Sequence, residues 1–69
     1  MIQYPETDPR RYTRQIQSHL EDLINELRRD VKFVDDPKAE ALFETSAEVL
    51  RGLKTAYAHY EEQAEEAWR

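Results

Sequence analysis

Residues 34–43 read Val34-Asp35-Asp36-Pro37-Lys38-Ala39-Glu40-Ala41-Leu42-Phe43, and the Asp36-Pro37 step within them divides the chain. An Asp carboxylate accepts hydrogen bonds from the backbone N–H groups that open a helix. Pro at the first helical position has no N–H to leave unsatisfied. The same pair occurs once more, at Asp8-Pro9, and no other turn cluster interrupts the helix-forming residues between and after the two. Two helices are expected, over 9–34 and 37–68, joined by a tight connection at Asp35-Asp36. Residues 1–8 read as an extended N-terminal arm, and residues 1–69 as one helical-hairpin domain.

Periodicity supports the helices. Tyr12, Ile16, Leu20, Leu23, Leu27, Val31 and Val34 are spaced 4, 4, 3, 4, 4 and 3, a mean close to the helical repeat. In the second segment Phe43, Ser46, Leu50, Leu53, Tyr57, Tyr60, Ala64 and Ala67 alternate by 3 and 4, and Leu42, Val49 and Ala56 widen one side of that stripe. No stretch alternates with period two for long enough to form a strand. The fold class is all-α.

Charge indicates how the helices meet. Segment 9–34 carries six basic and four acidic residues, a net of +2, and segment 37–69 carries four basic and seven acidic, a net of -3. Arg10, Arg11 and Arg14 open the first helix and Glu61, Glu62, Glu65 and Glu66 lie near the end of the second. Both groups sit at the wrong pole of their own helix dipole. An antiparallel hairpin makes them neighbours of opposite sign. Exposed ion pairs contribute about 0–1 kcal/mol each, so they select the pairing more than they hold it.

Composition limits what such a hairpin can be. There is no Cys, which excludes disulfides and thiolate metal sites and fits a reducing, cytoplasmic setting. No apolar run approaches a membrane span. One Gly in the chain leaves no Gly-rich phosphate loop. Only 17 residues larger than Ala and apolar fall between Tyr12 and Trp68. Chains below about 70–80 residues usually need disulfides, metal or association to complete a core. The expected solution is dimerisation of the hairpin into a four-helix bundle. Its self-association and core face comprises Ile16, Leu20, Leu23, Leu27, Phe43, Leu50, Leu53, Tyr57 and Tyr60. Tyr4, Tyr12 and Trp68, at the open end of the hairpin, form a candidate partner patch, since exposed aromatics often anchor partners.

Chemistry-bearing residues are few. His19-x-x-Asp22 and His59-x-x-Glu62 place a carboxylate on the face of each histidine. Carboxylate-bridged di-iron bundles use the reverse order, Glu-x-x-His. His19 falls at the flank of its stripe and His59 on the polar face, with His19 expected opposite about position 52, so no metal ligands are assigned. The Arg10, Arg11 and Arg14 cluster around Tyr12 has the composition of a nucleic-acid patch, but a net charge of -5 repels phosphate. Glu40, Glu44 and Glu48 make an i, i+4 row, a solvated face or an acidic docking edge. Gly52, in mid-helix, fits either a close helix approach or an exposed position. Ser18, Ser46 and the threonines have no His and carboxylate to form a nucleophilic site. The reading is a non-enzymatic oligomerisation and protein-interaction module, adaptor or regulator, working as a homodimer on an unidentified protein partner without cofactor, membrane or nucleic acid. The alternatives are di-iron-like metal binding at a dimer interface and an acidic inhibitor that mimics nucleic acid.

Overall fold

A computed structural model describes the backbone of residues 7–67 and the side chains of residues 7–63. Most of the arm, with Tyr4, and the other terminal aromatic, Trp68, lie outside the described residues. Two α-helices follow one another: α1, Arg10–Asp30, and α2, Pro37–Ala67. They pack against each other, and the described residues contain no strand.

Both Asp-Pro steps work as helix starts. Asp8 Oδ1 accepts from the Arg10 N–H at 3.0 Å, and Asp36 Oδ1 accepts from the Lys38 N–H at 3.2 Å. Each carboxylate thus satisfies an amide that its own helix cannot. The carbonyl of Asp36 also takes the Glu40 N–H, at 2.9 Å.

The end of α1 departs from the sequence expectation. The helix stops at Asp30, not at residue 34. The Val31 N–H still reaches the Leu27 carbonyl at 3.0 Å, but the Phe33 N–H bonds three residues back, to Asp30, at 2.9 Å. The ladder tightens and ends there. Val31, Phe33 and Val34 are poor helix formers, and Pro37 biases the residue before it toward extended backbone. The connection is therefore residues 31–36, not a tight turn at Asp35-Asp36. Val31 and Val34 fold back half-buried, while Phe33 is 81% exposed.

Three cross-helix contacts set the register. Thr13 Oγ1 donates to Glu61 at 3.0 Å, Arg14 pairs with the same carboxylate at 3.6 Å, and Lys54 Nζ donates to Glu21 at 2.6 Å. Paired residue numbers sum to 74 or 75 (13 + 61, 14 + 61, 21 + 54), so the helices run antiparallel. This register places His19 opposite positions 55–56 instead of 52. It also sets Asp30 level with Thr45 (75 − 30 = 45), so the first two turns of α2 continue past the end of α1, beside the connection. Because α1 ends at Asp30 and not at residue 34, the register shifts by about one turn.

Each helix presents its partner with a seam of 3, 4 spacing. On α1 it is Thr13, Gln17, Leu20, Ile24 and Leu27; on α2 it is Phe43, Ala47, Leu50, Lys54, Tyr57 and Glu61. Every one of these is buried or half-buried, and spacing of this kind is the coiled-coil pattern. Among the described residues only Leu20, Ile24 and Ala47 are buried apolar residues, however. The molecule is long and thin, 50 × 20 × 15 Å, with a radius of gyration of 15.4 Å; about 11 Å would suit a compact chain of this length. Its accessible surface is 5607 Å², against about 4,600 Å² for a compact monomer of this mass. One hairpin encloses little.

Candidate interaction surface

The two long sides of the hairpin differ in chemistry. On one side, Gln17, Glu21, Ile24 and Arg28 of α1 and Arg51, Lys54, Thr55 and Ala58 of α2 line a polar groove of about 390 Å³. The Lys54–Glu21 ion pair spans it. The hydrogen bond from Lys54, reinforced by its charge and by the more distant Arg28 and Arg51, holds the Glu21 carboxyl below its ordinary value. Arg51 also reaches Glu48, at 3.4 Å. These charges balance one another across water-accessible ground, the ordinary finish of a solvated face.

The other side is apolar and uncovered. Tyr12, Ile16 and Leu23 of α1 and Leu42, Val49, Leu53 and Tyr60 of α2 are 39% to 64% exposed. Two depressions run along it between the helices. One, of about 420 Å³, is lined by Leu23, Leu27, Thr45, Ser46, Val49 and Leu50. The other, of about 330 Å³, lies among Thr13, Ala56, Tyr57 and Tyr60. Single exposed apolar side chains are normal on any surface; here seven share one side of the hairpin, beside the two grooves.

The side chains expected to form one core face are thus divided. Leu20 is buried and Leu27, Phe43, Leu50 and Tyr57 are half-buried in the hairpin, whereas Ile16, Leu23, Leu53 and Tyr60 are exposed on the apolar side. The 3, 4 alternation of Phe43, Ser46, Leu50, Leu53, Tyr57 and Tyr60 crosses between two seams. The inward one is given above, and the outward one is Leu42, Ser46, Val49, Leu53, Ala56 and Tyr60. They lie one residue apart, about 100° around the helix. Ala47, buried at the helix contact, was missing from the expected face. The signal for both was the recurrence of adjacent small or apolar pairs, 42/43, 46/47, 49/50 and 56/57, which a single stripe does not require.

At the open end the arginines are already engaged. Arg10 clamps Asp8 through two nitrogens, at 3.0 and 2.6 Å, and Asp8 is fully covered. That side-chain hydrogen bond, opposed by desolvation and helped by the Arg10 backbone N–H and charge, holds the Asp8 carboxyl below its ordinary value. Arg14 turns to Glu61, and the Arg11 guanidinium lies 6.0 Å from the centre of the Tyr12 ring. Of the partner patch Tyr4, Tyr12 and Trp68, only Tyr12 belongs to the described residues, and it is exposed.

The histidines face water on separate parts of the hairpin, His19 level with positions 55–56 and His59 elsewhere on α2. Among the described residues no three His, Cys, Asp or Glu side chains converge as metal ligands. In the acidic row Glu40 is half-buried, while Glu44 and Glu48 are exposed. A Cβ added at Gly52 would meet nothing within 4 Å, so no close approach inside the hairpin explains this glycine. No helix among the described residues is long and apolar enough to cross a membrane. No protein-family model, curated protein or solved structure matches this chain.

Proposed function

We propose that this chain is a non-enzymatic oligomerisation and protein-interaction module whose working form is a homodimer, two hairpins packed apolar side to apolar side as a four-helix bundle. The observation that carries the reading is the uncovered row Tyr12, Ile16, Leu23, Leu42, Val49, Leu53 and Tyr60, beside only three buried apolar side chains among the described residues. With a fully exposed large side chain presenting roughly 170–250 Å², those seven expose about 700 Å² per copy, close to the roughly 800 Å² per partner of a stable interface. A helical layer with one apolar face must cover it against another layer. Once the apolar sides meet, the polar grooves and the charged outer surface of α1 remain outside, available to a protein partner.

Molar mass in solution tests this directly. Light scattering across a concentration series is expected to give twice the 8.3 kDa of one chain, unchanged by chelator or by added iron. A monomer at every concentration, with the helices intact by circular dichroism, overturns it. A mass that follows added metal replaces it with the metal-dependent alternative.

A further inference from the structure

We infer that the partner of the outward seam of α2 is the same seam of a second copy, antiparallel to it about a two-fold axis at the height of Arg51; this rests on the homodimer proposed above and adds its pairing. Two arrangements can close four such helices into a bundle. In one, α2 lies on α2 of the other copy; in the other, α2 lies on the other copy's α1.

The outer half of α2 favours itself. Measured at 100° per residue from the centre of the outward seam, all seven charged residues between Ala39 and Gln63 (Glu40, Glu44, Glu48, Arg51, Lys54, Glu61 and Glu62) lie at least about 100° away. The half centred on the seam holds Leu42, Ser46, Val49, Leu53, Ala56 and Tyr60, flanked by Ala41, Thr45, Gly52 and His59. In a chain that is 36% charged, this half-helix carries no formal charge over more than twenty residues. Two copies of α2 therefore meet without apposing like charges, although the helix is acidic as a whole.

The seam is also self-complementary. Its spacing of 4, 3, 4, 3 and 4 is the heptad repeat, in which antiparallel helices pair first with fourth positions. Pairing residues whose numbers sum to 102 sets Leu42 against Tyr60 of the other copy, Ser46 against Ala56, and Val49 against Leu53. Large residues meet large and small meet small, three layers on each side of the axis. The axis falls one residue from Gly52, the midpoint of α2 (37 to 67). Space beside Gly52 is open, which lets a second backbone come near.

The competing arrangement matches poorly. The exposed apolar residues that α1 can offer this seam are Tyr12, Ile16 and Leu23. Continued at the same spacing of 4 and 3, their row passes through His19 and reaches Glu26, so α1 presents a shorter and more polar seam than α2 does to itself. Buried carboxylates without partners cost far more than the exposed opposite-charge pairs that this arrangement could gain.

Disulfide trapping tests the pairing, and a chain without Cys makes every introduced thiol unique. Leu42→Cys and Tyr60→Cys chains, mixed in a glutathione redox buffer, are expected to give a mixed covalent dimer at least tenfold more abundant than either symmetric one. Positions 42 and 60 of one chain lie some 27 Å apart along α2, at 1.5 Å per residue, and cannot bridge within it. Ile16→Cys mixed with Tyr60→Cys reads the competing arrangement. Val49→Cys with Leu53→Cys repeats the first test at the central layer, in case a thiol at 42 or 60 loosens the dimer. Light scattering on each reduced mixture reports whether dimers are present. Dimers that trap 16 with 60, and neither 42 with 60 nor 49 with 53, overturn this pairing and leave the homodimer standing. Reduced mixtures and parent chain that are all monomeric overturn both.

Discussion

Val49→Glu separates a hairpin that stands alone from one that needs a second copy. Val49 is 64% exposed in the hairpin. For a lone hairpin the change is a surface substitution, within about 0.5 kcal/mol of neutral, and Glu is the better helix former. In a dimer the same side chain is buried twice. Roughly 100 Å² of apolar surface per copy, at 25 cal/mol per Å², is about 2.5 kcal/mol, or about 5 kcal/mol for the pair. The dissociation constant should therefore rise by at least three powers of ten, since each 1.4 kcal/mol is tenfold. Sedimentation equilibrium from nanomolar to millimolar chain reads that shift, and circular dichroism on the same samples checks that α1 and α2 persist. Glu48→Gln, one residue away on the charged half of α2, serves as control and should leave the constant unchanged. Equal dissociation constants for Val49→Glu and the parent chain would refute the reasoning, because no burial of the outward seam could then be occurring.

Other consequences follow from the same contacts. Leu20→Ala, at the buried centre of the hairpin, should destabilise by about 2–5 kcal/mol in chemical unfolding, whatever the oligomeric state. Gly52→Ala removes a mid-helix glycine from open space in the single hairpin and should stabilise it by about 1 kcal/mol; in the proposed dimer, where a second backbone comes near Gly52, that gain should shrink or turn into a loss. Asp8 and Glu21 are both held below the ordinary carboxylate value, by Arg10 and Lys54. Their contributions are in full force above about pH 4–5 and disappear as pH falls through their depressed values. The melting temperature should therefore hold from pH 7 to about 5 and drop below 4, with a shallower drop in Asp8→Asn. Asp8→Ala, which also removes the cap, should lower the melting temperature at pH 7 by several degrees. Glu21→Gln should have a smaller effect that 1 M salt abolishes, because that pair is exposed.

Much of the hairpin was legible in the residues. The two Asp-Pro steps marked both helix starts because they act locally, through a carboxylate and the amide two residues on. The antiparallel sense was legible in the misplaced charges, and Arg14 does meet Glu61. What the sequence hid came from geometry at longer range. Where α1 ends depended on a balance among Val31, Lys32, Phe33 and Val34 that no single residue decides. The register followed from that ending, and so His19 moved by about one turn. The division of the apolar residues was hidden for another reason. Spacings of 3 and 4 are equally satisfied by one zigzag stripe and by two seams one residue apart, and only burial assigns Phe43 and Ala47 to one, Leu53 and Tyr60 to the other.

The thin interior of the single hairpin gives the proposed homodimer a consequence for the quantity of protein made. If a second copy completes the core, unfolding and separation become one event, and its midpoint moves with chain concentration. Each tenfold increase in chain adds about 1.4 kcal/mol to the stability of the assembled form. Dilution removes as much, and in a cell the proteases that remove unfolded chains would take the excess of a chain produced below its own association threshold. Abundance would then set both how much of this protein is folded and how long it lasts.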